Sequence, residues 1–200
     1  GPSAEVGPAL MAGADGISFT GSTAAGRSIA AEAGQRLLPA ALELGGKNPL
    51  IVAADADLEK AVEGAVRGSF SSAGQLCISI ERIYVHEDLY ETFCAHFAEA
   101  ARTYRLSAAF EYGPDMGTLA GPKQLETITN HVEQARSAGA TVLAGGHPVP
   151  DLGPYFYAPT VLTDVPPEAE LHREETFGPV VSVYSVPSDA AAIAAANDSD

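Results

Sequence analysis

Tryptophan is absent from the 200-residue chain, and cysteine and methionine occur only twice each. Cys77 and Cys94 match no CxxC spacing, which excludes a disulfide framework and a cysteine-based metal clip. So little cysteine points to a reducing compartment, and a cytoplasmic location is expected. Cations are scarce: 11 Lys and Arg stand against 26 Asp and Glu, a formal net charge of −15. That balance excludes a nucleic-acid binder working through a basic face. Long hydrophobic runs are missing as well. The longest apolar stretches, residues 49–54 and 179–187, fall far short of the roughly 20 residues of a membrane span. The five histidines, His86, His96, His131, His147 and His172, show no HExxH or other tight ligand spacing, so no metal is expected. What remains is 46% hydrophobic and 18% charged, the composition of a globular protein rather than a disordered one.

The hydrophobic pattern alternates between strand and helix periods. Residues 16–20 (GISFT) read as a short strand, followed by a glycine and an alanine-rich helix over 22–35. Further strands are predicted at 39–44 and 48–52. Asp57 is placed to cap a helix running to about residue 71, with Leu58, Ala61, Val62, Ala65, Val66 and Phe70 on one face and a stop at Gly74. A strand over 80–85 precedes a helix over 88–106, whose stripe is Leu89, Phe93, Phe97, Ala100 and Tyr104. Helix 121–137, strand 141–144, a turn-rich stretch 145–154, strands 155–162 and 180–186, and a helix over 188–196 complete the reading. This is an α/β alternation, for which parallel sheets with helical crossovers are the usual outcome.

Four places could carry chemistry. Gly21-Ser22-Thr23-Ala24-Ala25-Gly26 follows a strand and opens a helix, where backbone N–H groups and the helix dipole can receive a phosphate. The same stretch fits an ordinary glycine-bounded turn. With Arg27-Ser28, and with Leu50 to Asp55 as an apolar strand plus aspartate, it also fits a P-loop whose lysine is replaced, although arginine's planar fork is a poor substitute for that compact charge. Cys77 lies between a helix stop and a strand, in a connection that a substrate can reach. Cys94 adjoins the Phe93/Phe97 stripe and reads as packing, which is also the ordinary reading of any lone cysteine. Glu43, at the end of an apolar strand before Gly45-Gly46, would be a general base if desolvated there, or an ion-pair partner of Lys47. Glu174-Glu175-Thr176-Phe177-Gly178-Pro179 is an acidic turn beside an aromatic, which by itself would pass as a solvated loop.

Taken together, Phe19-Thr20-Gly21-Ser22-Thr23-Ala24-Ala25-Gly26, Leu42-Glu43-Leu44-Gly45-Gly46-Lys47-Asn48-Pro49, Gly74-Gln75-Leu76-Cys77 and Glu174-Glu175-Thr176-Phe177-Gly178-Pro179-Val180 resemble the aldehyde dehydrogenase superfamily. The motifs stand in the family's order. Cys77 follows Glu43 by 34 residues and precedes Glu175 by 98, which fits its layout. The resemblance implies an α/β fold in which the end of a Rossmann-type cofactor domain (1–44) leads into an α/β catalytic domain (45–200). It makes Cys77 the nucleophile and Glu43 the base. Gly21, Ser22 and Gly26 would belong to the dinucleotide-phosphate site. Glu175 would hold the nicotinamide ribose, with Phe177 and the Leu44 backbone flanking the ring. The implied reaction is oxidation of an aldehyde to a carboxylic acid with NAD or NADP, through a thiohemiacetal and a thioester on Cys77. The presence of Glu43 favours release by water over transfer to coenzyme A.

The stretch Cys77-Ile78-Ser79-Ile80-Glu81-Arg82 resembles the succinate-semialdehyde dehydrogenase branch in particular. Leu76 is bulkier than is usual before the nucleophile, which bears on substrate shape. A complete family member is more than twice this length, so the chain is expected to be a central fragment, incomplete at its C-terminus. It would belong to a homo-oligomer and be inactive when isolated. The competing readings are a non-catalytic relic of the same fold and a degenerate P-loop nucleotide hydrolase, which would leave Cys77, Glu43 and the Glu175 turn without a role.

Overall fold

The computed structural model describes residues 3–109 and 111–199, so the terminal Gly1-Pro2 and Asp200 lie outside the described residues. It divides into two units, Gly1–Gly46 and Lys47–Asp200.

The first unit contains helix α1 (Ser3–Ala12), strand β1 (Ile17–Gly21), helix α2 (Thr23–Gln35) and strand β2 (Ala40–Leu44). β1 and β2 pair in parallel, Gly21 facing Leu44 and Thr20 facing Glu43, with α2 as the crossover. Ser22 caps α2 by accepting the Ala25 N–H at 3.3 Å. α1 is not anticipated by the sequence, because Pro8 sits inside it.

The second unit is a five-stranded sheet in the order β3-β4-β7-β6-β5: β3 (Pro49–Val52), β4 (Arg82–His86), β5 (Thr141–Ala144), β6 (Thr160–Thr163) and β7 (Val180–Val186). Four strands run parallel, while β5 is antiparallel to β6 and departs from the all-parallel expectation. Ile83 and Val85 point into the main core, where helices α3 (Leu58–Phe70), α4 (Glu87–Thr103) and α5 (Pro122–Ser137) contribute Phe70, Phe93, Phe97, Ile128 and Val132. Phe97 stacks on Phe70 at 5.7 Å and meets Phe93 at 5.5 Å. Tyr84 points to the other face, where it packs with Val186 and with Ala192 of helix α7 (Asp189–Ala196). A short helix α6 (Glu170–Arg173) precedes β7.

Asp57 does cap α3, accepting the Lys60 N–H at 3.2 Å. α4 stops at Thr103, not Leu106, because Tyr104 turns to extended geometry. The strand predicted over 155–162 begins only at Thr160. Proline at 159 has no N–H to donate, so the ladder opens with the Thr160 N–H on the Pro179 carbonyl at 2.8 Å.

Candidate active site

In the first unit, β1 ends at Gly21 and α2 starts beside it with Ser22 as cap and no carboxylate in its first turn. Gly26 is buried, and a Cβ there would run into the Leu44 side chain. Its place is therefore the close contact of helix with strand, one of the glycine roles in a dinucleotide-binding turn. Gly21 and Ser22 are exposed at the turn itself, and Leu44 is half-buried. Glu43 is exposed, which corrects the expectation of a desolvated carboxylate. The reason is that β2 pairs with β1 alone, so the apolar residues around Glu43 are not enough to cover it. The proposed partner Lys47 is engaged elsewhere, with Glu81.

In the second unit, α3 ends in a tight turn, Ser71–Gly74, in which Ser72, Ala73 and Gly74 have φ of 53°, 56° and 67°. Two of these are not glycine, so the turn is strained and must be held from outside. Part of the hold is packing: Gly74 lies directly on the Gly178–Pro179 peptide, and a Cβ there would overlap the Gly178 carbonyl. Gln75 donates to the Thr118 carbonyl at 3.4 Å and accepts the Ala120 N–H at 2.7 Å. Cys77 follows, exposed, flanked by Leu76 at 37% and Ile78 at 77% exposure.

Asn48 ties this loop to the sheet. Its Nδ2 donates to the carbonyls of Cys77 (2.7 Å) and Ser79 (2.9 Å), while its own carbonyl accepts the N–H groups of Glu81 and Arg82. Cys94, by contrast, is buried in α4, and burial pushes its thiol up to about 11.

The turn at 174–179 is pinned from several directions. The Glu81 carboxylate accepts the N–H of Thr176 (2.9 and 3.1 Å) and of Phe177 (2.9 Å), and Lys47 Nζ donates to it at 2.6 Å. Gln124 donates to the carbonyls of Thr176 (2.7 Å) and Phe177 (2.8 Å), and His131 Nδ1 meets the Thr176 hydroxyl at 3.2 Å. Glu175 and Phe177 are half-buried. Burial lowers the pKa of Lys47, against the opposing pull of Glu81, and Glu175 acts on it in the same sense as Glu81. Burial also lowers that of His131, with the nearby Lys47 charge adding to it.

The cysteine loop and the Glu175–Phe177 turn thus meet at the N-terminal ends of β4 and β7. Asn48, Gln75, Glu81, Gln124 and His131 support these two segments, and the sequence motifs assign none of them that part. Asn48 and Glu81 are polar residues directly before the apolar strands β3 and β4, whereas Gln75 in its loop and Gln124 and His131 within α5 carry no comparable local signal.

The P-loop reading is overturned. Its phosphate turn follows β1 and its aspartate follows β3, and these strands belong to different sheets. In a P-loop fold the two would share one. Among the described residues, no group of three or more His, Cys, Asp or Glu side chains could hold a metal ion, and no helix is long and apolar enough to cross a membrane.

Comparison with known proteins agrees with the motifs. A Mycolicibacterium smegmatis protein described as "putative succinate-semialdehyde dehydrogenase (NADP(+))" is 52% identical over 200 residues, covering 100% of this chain and 39% of its own. A betaine aldehyde dehydrogenase of Brucella ovis is 40% identical over 188 residues, 92% of this chain and 38% of its own. The NAD+ complex of an aldehyde dehydrogenase from Bacillus cereus superposes with a TM-score of 0.95 at 40% identity, over 100% of this chain and 41% of that one. The chain therefore spans about two fifths of the length of these relatives. The sequence pattern of the aldehyde dehydrogenase family matches residues 1–200, and the chain belongs to that family.

Proposed function

We propose that the full-length protein carrying this chain oxidises an aldehyde to a carboxylic acid with NAD or NADP, by covalent catalysis at Cys77. The observation that carries this reading is the exposed Cys77 thiol on a strained loop, fixed by Asn48 and by the packing of Gly74 on Gly178. That packing sets the loop against the turn bearing Glu175 and Phe177. The residues present fit a dinucleotide. The α2 N-terminus carries no acid in its first turn, and Gly26 allows α2 to lie close against β2. Gly21, Ser22 and Gly26 would hold the phosphates. Glu175 would hold the ribose, and Phe177 and Leu44 would flank the nicotinamide.

Cys77 attacks the aldehyde carbon as a thiolate and forms a tetrahedral thiohemiacetal. NAD(P)+ when bound supplies the hydride acceptor, so the carbon reaches the acid oxidation level while still bonded to sulfur as a thioester. Glu43 takes a proton from water, the water oxygen adds to the thioester carbon, and the acid leaves as the Cys77 sulfur is freed.

Succinate semialdehyde is the substrate favoured by the likeness to the mycobacterial-type relatives, whose names also favour NADP. The test is pre-steady-state kinetics of the full-length protein. Glu43→Gln should keep a stoichiometric burst of NAD(P)H and slow the following steady state about 10²–10³-fold, since only thioester hydrolysis needs that base. Cys77→Ala should lose both phases. A Cys77→Ala variant that still bursts would overturn the covalent route.

A further inference from the structure

Phe177 is held at φ 51°, in the left-handed region where a bulky residue is costly. The peptide groups on both sides of that strain are clamped. Glu81 takes the two N–H groups, Gln124 takes the two carbonyls and His131 takes the Thr176 hydroxyl. The key member is ionic and almost wholly enclosed: the Lys47 and Glu81 side chains are 4% and 3% exposed, with nitrogen and oxygen 2.6 Å apart.

Burying a charge pair is a poor way to gain stability, because removing two ions from water offsets most of their attraction. What the pair does gain is geometry. The Glu81 carboxylate accepts two backbone N–H groups, that of Thr176 shared between both oxygens, and an ammonium at once, whereas the single oxygen of a neutral amide has two lone pairs for those three donors and no charge to match the ammonium. Lys47 is itself fixed at the other end, because Arg82 Nε donates to its carbonyl at 3.0 Å. The buried Arg82 also donates to the Ala196 carbonyl at the end of α7, at 3.1 Å. The start of β4 therefore grips both ends of Lys47 and, through Glu81, the turn before β7.

We propose that Lys47 and Glu81 are positioning residues for the nicotinamide cofactor, holding the Glu175–Phe177 turn in its strained conformation. This rests on the cofactor reading of Glu175 and Phe177 given above. Removing the clamp should weaken NAD(P)+ more than the aldehyde side, because the Cys77 loop, although it packs on Gly178, keeps further anchors in Asn48 and Gln75 that the clamp does not supply.

The experiment is calorimetric titration of the full-length protein with NAD+ and with NADP+, alongside steady-state kinetics. Glu81→Gln is expected to raise the Kd and KM of the preferred cofactor about tenfold or more, with aldehyde KM within about threefold of wild type. Glu81→Gln leaves a buried lysine unpaired and could fail to fold, so the double variant Lys47→Met/Glu81→Gln is measured too. It removes that orphan charge but does not restore the clamp, and its cofactor Kd should stay raised. A folded single or double variant with wild-type cofactor Kd overturns the proposal. A wild-type protein that binds the cofactor but oxidises no aldehyde would overturn the proposed function and leave the clamp to be judged on Kd alone. A wild type that binds neither cofactor overturns both.

Discussion

The two thiols show how environment, not identity, sets the chemistry of a side chain. Cys94 is 6% exposed in the stripe that α4 turns to the core, and burial raises its pKa to about 11, so at neutral pH it is a thiol and not a nucleophile. Cys77 is exposed on its loop. Brief alkylation at pH 7.5 followed by peptide mass mapping should therefore label Cys77 at least tenfold faster than Cys94. Preferential labelling of Cys94 would show that α4 does not bury it in the core. Both placements were legible in the sequence, since one cysteine lies between elements and the other beside Phe93 and Phe97 on a helical stripe. The partner of Lys47 was not legible. Glu43 is four residues away and Glu81 is 34, and an acid at the start of a strand carries no local mark of burial. Only the approach of the strand starts, which is a matter of topology, encloses it.

At the scale of elements, the strongly periodic helices and their caps were readable because each depends on neighbours within one or two turns. Asp57 and the α3 face are examples. Strand order was not readable: no local pattern says that β7 inserts between β4 and β6, or that β5 runs against β6. That insertion brings the Gly178 peptide under Gly74. The consequence can be tested by two alanine substitutions. Gly74 combines φ 67° with backbone directly in the path of a Cβ, so Gly74→Ala should cost about 2–5 kcal/mol. Gly64 lies inside α3, and apart from its chain neighbours and the backbone of its own helix a Cβ there would meet nothing within 4 Å among the described residues, so Gly64→Ala should stabilise by about 0.5–1 kcal/mol. Urea unfolding of both variants in the full-length protein checks the pair. A neutral Gly74→Ala would mean that the cysteine loop and the Phe177 turn are not in contact.

For the molecule as a whole, the two units are unequal. Lys47–Asp200 has a sheet covered on both faces and a continuous aromatic and aliphatic core. Gly1–Gly46 has a two-stranded sheet with α2 packed on it, and among its described residues Gly26 and Ala33 are the buried ones, which leaves it little core of its own. Among the described residues nothing pairs with the outer edges of β1 and β2, Leu10 and Leu37 are 68% and 91% exposed, and a groove of about 620 Å³ is lined by Leu10, Met11, Ile17, Phe19 and Ile29. The chain spans 39% of the length of the M. smegmatis relative, and in the proposed full-length enzyme further chain would cover these surfaces. The isolated 200-residue chain is therefore expected to keep its Cys77 loop yet show no sustained aldehyde oxidation. A cofactor seated on two strands lacks the sheet that orients it, and lost orientation alone can remove several powers of ten in rate. The uncovered edges and apolar groove should also drive self-association. An NAD(P)H absorbance assay with several aldehydes, run with light scattering on the purified chain, checks both expectations. Sustained turnover that disappears in Cys77→Ala would show that β1, α2 and β2 are enough to orient the dinucleotide.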